Sequence, residues 1–152
     1  MDDAPILICY DGSENADRAI SVAADLFGPA KAVVLDIGAE LTTAESLASV
    51  SPIVPGAAFE DLNTADALSR AKAGAERASQ AGFAAEARAE LASPYWQGIV
   101  NVADEIDAAV IVLGSRGLTG AKEALLGSVS HAVAEHSTRP VLIVPPSKNG
   151  HA

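Results

Sequence analysis

Ala109-Val110-Ile111-Val112-Leu113-Gly114-Ser115-Arg116-Gly117 is the stretch from which the fold can be read. Residues 109–113 are apolar without alternation, which is the pattern of a strand covered on both faces. The strand runs straight into Gly114, and a second glycine follows at Gly117. A buried strand that ends in a glycine loop is the repeating half-unit of parallel α/β sheets.

Outward from this stretch, the chain alternates between strand and helix signals. Residues 6–10 form a short apolar run closed by Asp11-Gly12-Ser13, a strand ending in a turn. Ala16, Ile20, Ala23, Ala24 and Phe27 then share one helical face, with Ser13 as the N-cap and Gly28-Pro29 as the stop. Residues 32–37 are a second buried, valine-rich strand. Residues 38–60 carry Gly38, Pro52, Pro55 and Gly56 without a period and predict a long loop, a candidate lid.

Residues 61–80 are alanine-rich with interspersed charges and predict a second helix that stops before Gly82. Residues 84–91 favour helix by composition, but the alternation of elements asks for a strand there. Ser93 reads as an N-cap and Pro94 as a first helical residue, ahead of a face formed by Ile99, Val102, Ala103 and Ile106. Leu125, Leu126, Val129, Ala132, Val133 and His136 trace a fourth helix that must end before Pro140. Val141–Val144 is a last strand, closed by Pro145-Pro146. The order β-α-β-α-β-α-β-α-β predicts an α/β fold: an open five-stranded parallel sheet with helices on both faces. One domain is expected over residues 1–152, with its ordered core at about 4–146 and no internal repeat.

Composition bounds what this fold can do. The hydrophobic fraction is 49% and the aromatic fraction 4%, so aliphatic packing carries the core. The single cysteine, Cys9, cannot form an internal disulfide and lies in an apolar run, where thiols are inert. The net charge of −10 argues against nucleic-acid binding, although Gly-Ser-Arg-Gly superficially matches a backbone-clamping RNA loop. It does not exclude a small nucleotide held by backbone amides. No apolar run approaches the roughly 20 residues of a membrane span, and no basic and apolar leader opens the sequence, so a cytoplasmic location is expected.

Parallel sheets bind ligands beyond the carboxyl ends of their strands, where the strand order reverses. Two segments suit that position: Asp11-Gly12-Ser13 and the loop from Gly114. The latter continues to Gly127-Ser128-Val129-Ser130, giving the spacing Gly-x2-Gly-x9-Gly-Ser over Gly114, Gly117, Gly127 and Ser128. Glycines permit positive φ and close approach of backbone to a ligand. Amides at a helix start attract an anion, and Ser128 and Ser130 add hydroxyls beside them.

This complete spacing, with Val-Ile-Val-Leu-Gly-Ser-Arg-Gly before it and Arg-Pro-Val-Leu-Ile-Val-Pro after it, resembles the ATP-binding branch of the universal stress proteins. Ile-Leu-Ile-Cys-Tyr-Asp-Gly-Ser supports the resemblance at the amino terminus, while residues 38–92 carry little of it. The resemblance implies a Rossmann-like, adenine-nucleotide α-hydrolase-like fold. It implies that Asp11 contacts the adenosine end of ATP, in a turn with Cys9, Tyr10 and Ser13, and that Ile37 touches adenine through its main chain. Leu113, Gly114, Arg116 and Gly117 would wrap the ribose and α-phosphate, and Gly127, Ser128, Val129 and Ser130 the outer phosphates. Mg²⁺ with ATP is compatible with this set, as is cAMP or AMP in place of ATP. A homodimer through Val141–Val144 is implied as well, and that apolar strand would otherwise be left unpaired at a sheet edge. Tyr10 departs from the small residue expected beside the aspartate; it would stack on adenine or narrow the pocket.

Each of these residues also has a plainer reading. Asp11 alone reads as a turn residue, and Arg116 equally as a solvated loop arginine. Tyr95 and Trp96 read as packing residues, and His131 and His136 as structural or exposed. Ser13 lacks the surroundings of a nucleophile. No Walker loop lysine, magnesium carboxylate pair or arginine finger is legible, so binding with at most slow ATP hydrolysis is expected. A scaffold that works by dimerisation alone is the remaining alternative.

Overall fold

The computed structural model describes residues 3–39, 56–116 and 127–148. Nine elements follow one another: β1 Ile6–Cys9, α1 Glu14–Phe27, β2 Lys31–Ala39, α2 Gly56–Gln80, β3 Ala84–Ala92, α3 Tyr95–Glu105, β4 Val110–Gly114, α4 Ser128–His136 and β5 Val141–Val144. The strands form one sheet in the order β3-β2-β1-β4-β5, and every pair is parallel. The chain winds outward from β1 through β2 to β3, then crosses to β4 and β5 on the other side. The order therefore reverses between β1 and β4, whose carboxyl ends carry the two turns singled out in the sequence.

Alternate residues of each strand face opposite layers. Ile6, Ile8, Val34, Val110 and Val112 pack with Ala16, Ala19, Ile20 and Ala23 of α1 and with Ala75 and Ala78 of α2. Leu7, Val33, Leu35, Ile111 and Leu113 pack with Ile99, Val102 and Ala103 of α3 and Val133 of α4. Cover on both faces explains the unbroken apolar runs. Leu7, Ile8, Leu35 and Ile111 are essentially inaccessible, and truncating any one to alanine should cost about 2–5 kcal/mol.

The alanine richness has a geometric use in α2. Its buried face is Ala67, Ala71, Ala75 and Ala78, and a Cβ added to Gly74 would lie 2.7 Å from the Tyr10 ring and 2.8 Å from Val34 Cγ1. Small residues let this helix sit low on the sheet. The β3 expectation holds despite its composition: nine residues pair with β2 from Lys31↔Ala84 to Ala39↔Ala92. Pairing overrides intrinsic preference here.

Three boundaries differ from the sequence reading. The loop expected over 38–60 loses both flanks, because β2 runs to Ala39 and α2 starts at Gly56 rather than 61. Alanines and acids after Pro55 are good helix formers, which accounts for the earlier start. The candidate lid itself, residues 40–55, lies outside the described residues. Pro94 is the N-cap of α3 rather than its first helical residue, since its ψ of 159° is extended. The first turn expected for α4, at Leu125 and Leu126, also lies outside the described residues.

At the far end of the α3–α4 layer, the Trp96 ring stacks on His136 with centroids 4.2 Å apart and planes at 17°. Trp96 is thus a packing residue, as expected. His131 faces Glu135 at 3.7 Å on the exposed side of α4.

Candidate functional site

The turn after β1 is closed by its own side chains. Gly12 has φ +83°, a left-handed conformation that glycine adopts without strain. Asp11 Oδ1 accepts from the Ser13 amide at 2.9 Å. Ser13 Oγ accepts from the Ala16 amide at 3.1 Å, which makes Ser13 the N-cap expected from sequence. Glu14 and Asp17 add negative charge in the first turn of α1.

Tyr10 is a core residue. Its ring is buried against α2, and its hydroxyl donates to Asp17 Oδ1 at 2.8 Å. Burial first, and the bond to Asp17 second, push its phenol up to about 12. The ring belongs to the α1–α2 layer. Cys9, Ile37 and Leu113 lie on the opposite, α3–α4 layer. Burial, with the Asp11 charge second, pushes the Cys9 thiol up to about 12, so it stays protonated and inert at neutral pH. Ile37 does not end its strand: it pairs with Glu90 and lies under Gly98 of α3.

The turn after β4 is built differently. Ser115 N donates to Val144 O at 2.9 Å, and the Gly127 amide donates back to Ser115 O. Gly127 caps α4 with an extended backbone (φ −66°, ψ 159°) and no side-chain hydrogen bond. The first intrahelical bond is His131 N to Gly127 O, so helix geometry leaves the Ser128, Val129 and Ser130 amides unclaimed. No acidic residue stands in that first turn. Ser128 is exposed, Val129 is partly buried in the core, and Ser130 is buried with its hydroxyl donating to Gly114 O at 2.7 Å. That serine proton is thereby committed to the loop. Gly117 lies outside the described residues.

Gly114 and Gly127 are glycine for a reason other than positive φ, which neither has. A Cβ on Gly127 would sit 3.1 Å from Ser115 O, and one on Gly114 would sit 2.5 Å from Asn15 Nδ2. The close approaches are made by the protein itself. Asn15, one residue into α1, donates from Nδ2 to the Arg116 carbonyl at 2.9 Å.

Three buried side-chain polar atoms among the described residues have no hydrogen-bond partner: Asn15 Oδ1, Ser115 Oγ and Arg116 Nε. All three belong to this junction between the β4 loop and the start of α1. Burying a polar group unpaired costs about 1–3 kcal/mol, so a cluster of them marks a place where a ligand can repay burial. Together with the open start of α4, they offer donors and an acceptor to a polar, anionic molecule.

Asn15 and Ser115 were absent from the sequence-level site. The signal for Asn15 was its spacing: it continues the buried stripe of Ala19 and Ala23 one turn earlier. Also unforeseen is a part-buried pair beside the Asp11 turn. Arg70 of α2 grips Asp36 of β2 through Nε–Oδ2 at 2.8 Å and Nη2–Oδ1 at 3.1 Å. Burial raises the Asp36 carboxyl above its ordinary value, and the Arg70 bond and charge oppose that rise. Its signal was a lone charge in a valine-rich strand.

Known proteins carry the same architecture. The family model described as the universal stress protein family matches residues 4–145. Universal stress protein YxiE of Bacillus subtilis strain 168 is 33% identical over 144 residues, covering 91% of this chain and 97% of the relative. The structure of MJ0577, from Methanocaldococcus jannaschii, superposes with a TM-score of 0.79 at 24% identity, covering 97% of this chain and 99% of that one. A universal stress protein crystallised in complex with cAMP superposes with a TM-score of 0.66 at 25% identity, covering 97% and 100%. The chain belongs to the universal stress protein family.

Proposed function

We propose that this protein binds an adenine nucleotide, ATP foremost, across the carboxyl ends of β1, β2 and β4, and serves a stress-response or regulatory role by changing state with its ligand. The observation that carries the reading is the convergence of three unpaired buried polar atoms on the β4 turn, beside a helix start with no side-chain cap and no acid. On this reading the α4 amides and Ser128 meet the outer phosphates, and Arg116 and Ser115 meet the inner ones and the ribose. Asp11 and the main chain of Ile37 meet the adenosine end. Gly117 would belong to the same wrap. Binding, with at most slow hydrolysis, fits a loop without a Walker lysine.

A second reading, cAMP in the same pocket, is favoured by the relative complexed with cAMP. Calorimetric titration with ATP, ADP, AMP and cAMP, with and without Mg²⁺, separates the two. Ser115→Ala makes the test specific to the unpaired atoms. Removing an unpaired buried hydroxyl should leave the empty protein as stable or more so, yet weaken the preferred nucleotide about fivefold. Unchanged affinity for every nucleotide in that variant removes the support that Ser115 gives. The expected homodimer keeps its physical ground, because β5 is an edge strand whose apolar residues have a neighbour on one side only. Sedimentation velocity with and without nucleotide tests it.

A further inference from the structure

One side chain bridges the two turns of the site. Asn15 sits in the first turn of α1 and is 9% exposed, and its amide reaches the carbonyl of Arg116, 101 positions away in sequence. The same amide occupies the space where a side chain on Gly114 would be. A Cβ there would lie 2.5 Å from Nδ2, 3.0 Å from Cγ and 3.3 Å from the Asn15 carbonyl oxygen. Gly114 has no left-handed φ that would itself require glycine. Its carbonyl is held from the other side by Ser130 Oγ at 2.7 Å. The loop is therefore clamped between α1 and α4.

We infer that Asn15 is a positioning residue: it fixes the β4 loop against the start of α1, and Gly114 is glycine to make room for Asn15 rather than for the ligand. The inference rests on the nucleotide reading for its functional consequence, which is the pre-setting of the Arg116 backbone before a nucleotide arrives. A preorganised loop spends less of its binding energy on ordering. Asn15 and Gly114 are then one unit, and their substitutions cannot be additive.

A double-mutant cycle decides the matter. The four proteins are the natural one, Asn15→Ala, Gly114→Ala and the pair combined. Each is measured for ATP affinity by calorimetry and for thermal midpoint without nucleotide. Asn15→Ala should weaken ATP about fivefold, the worth of one neutral hydrogen bond that positions a contact. Gly114→Ala should weaken ATP about tenfold alone but no more than about twofold on top of Asn15→Ala, because the obstructing amide is gone. An equal loss from Gly114→Ala in both backgrounds overturns the inference and returns the glycine to the ligand.

If the natural protein binds none of the nucleotides, the nucleotide reading fails and the midpoints still judge the clamp. Coupled midpoints support it, and additive ones overturn it. Asn15→Asp keeps the shape and loses the donor, so it covers the case in which Gly114→Ala does not fold. It should bind ATP as weakly as Asn15→Ala, and natural affinity in Asn15→Asp overturns the inference. A readout that bulk destabilisation would not produce is the Asn15 side-chain NH2 resonance. It should be shielded from solvent exchange with and without ATP, and free exchange in both states overturns the clamp.

Discussion

The turns after β1 and β4 stand on adjacent strands, each lies between a strand and a helix, and yet the two helix starts are finished oppositely. At α1 the chain spends Asp11 and Ser13 on its own amides and lines the first turn with Glu14 and Asp17. At α4 a glycine caps without a side chain, no acid stands in the first turn, and three buried polar atoms of the adjoining junction are unpaired. The first turn is closed by its own side chains; beside the second, three buried side-chain atoms lack a partner among the described residues. A helix start capped by its own side chains serves the structure, and one beside unpaired groups is where a ligand is to be sought.

The comparison can be broken from the closed side first. Arg70 of α2 braces that turn: its Cδ lies 3.8 Å from where a Cβ on Gly12 would be, and its guanidinium holds buried Asp36. Arg70→Met should destabilise the fold by about 2 kcal/mol at neutral pH, a figure reduced because the Arg70 side chain is 41% exposed. The sign of its pH dependence follows from Asp36, whose carboxyl is already raised by burial. A raised carboxyl contributes stability at acid pH that is lost as pH rises through its folded value. Without Arg70 it rises further, so the penalty should shrink as pH falls from neutral toward the ordinary carboxylate range and the carboxyl takes up its proton. Urea denaturation of both proteins across this range checks the trend, and adding Asp36→Leu should restore most of the loss.

The open side can be closed by charge. Ser128 is exposed, so Ser128→Asp adds a carboxylate to the first turn of α4 without disturbing packing. ATP should bind at least about tenfold more weakly, while adenosine, which has no phosphate, keeps its affinity. Parallel titrations read the difference, and equal losses for both ligands would remove the phosphates from α4. The smallest effect belongs to the cap itself. Ser13→Ala should cost about 1 kcal/mol, a fall in thermal midpoint of roughly 2–4 °C for a chain of this size, with ATP affinity little changed.

The sequence foretold the architecture where burial is symmetrical. β1 and β4 are apolar on both faces, and so is β2 over residues 32–35, which is the pattern of strands covered on both sides. β3 was legible from its place in the alternation alone, since its Ala-Glu-Ala-Arg composition points to helix and only pairing with β2 makes it a strand. The glycine spacing located the open turn, but not why its glycines are there. That reason lies in Asn15, which no local window joins to Arg116. The packing of Tyr10 was hidden for the same kind of cause, because the space under Gly74 that takes its ring belongs to a helix 64 positions later. Asp36 and Arg70 were likewise separate until the fold joined them.

The Trp96–His136 stack gives α4 a second end worth watching. Trp96 is the chain's single tryptophan, and His136 is the last residue of the helix whose first turn has no side-chain cap. Nine residues of α-helix span only about 13 Å. The native emission of this protein thus originates within one short rigid rod of the place where phosphates would land. Any tilt of that rod alters the surroundings of the indole, so an unlabelled sample carries its own optical gauge of α4.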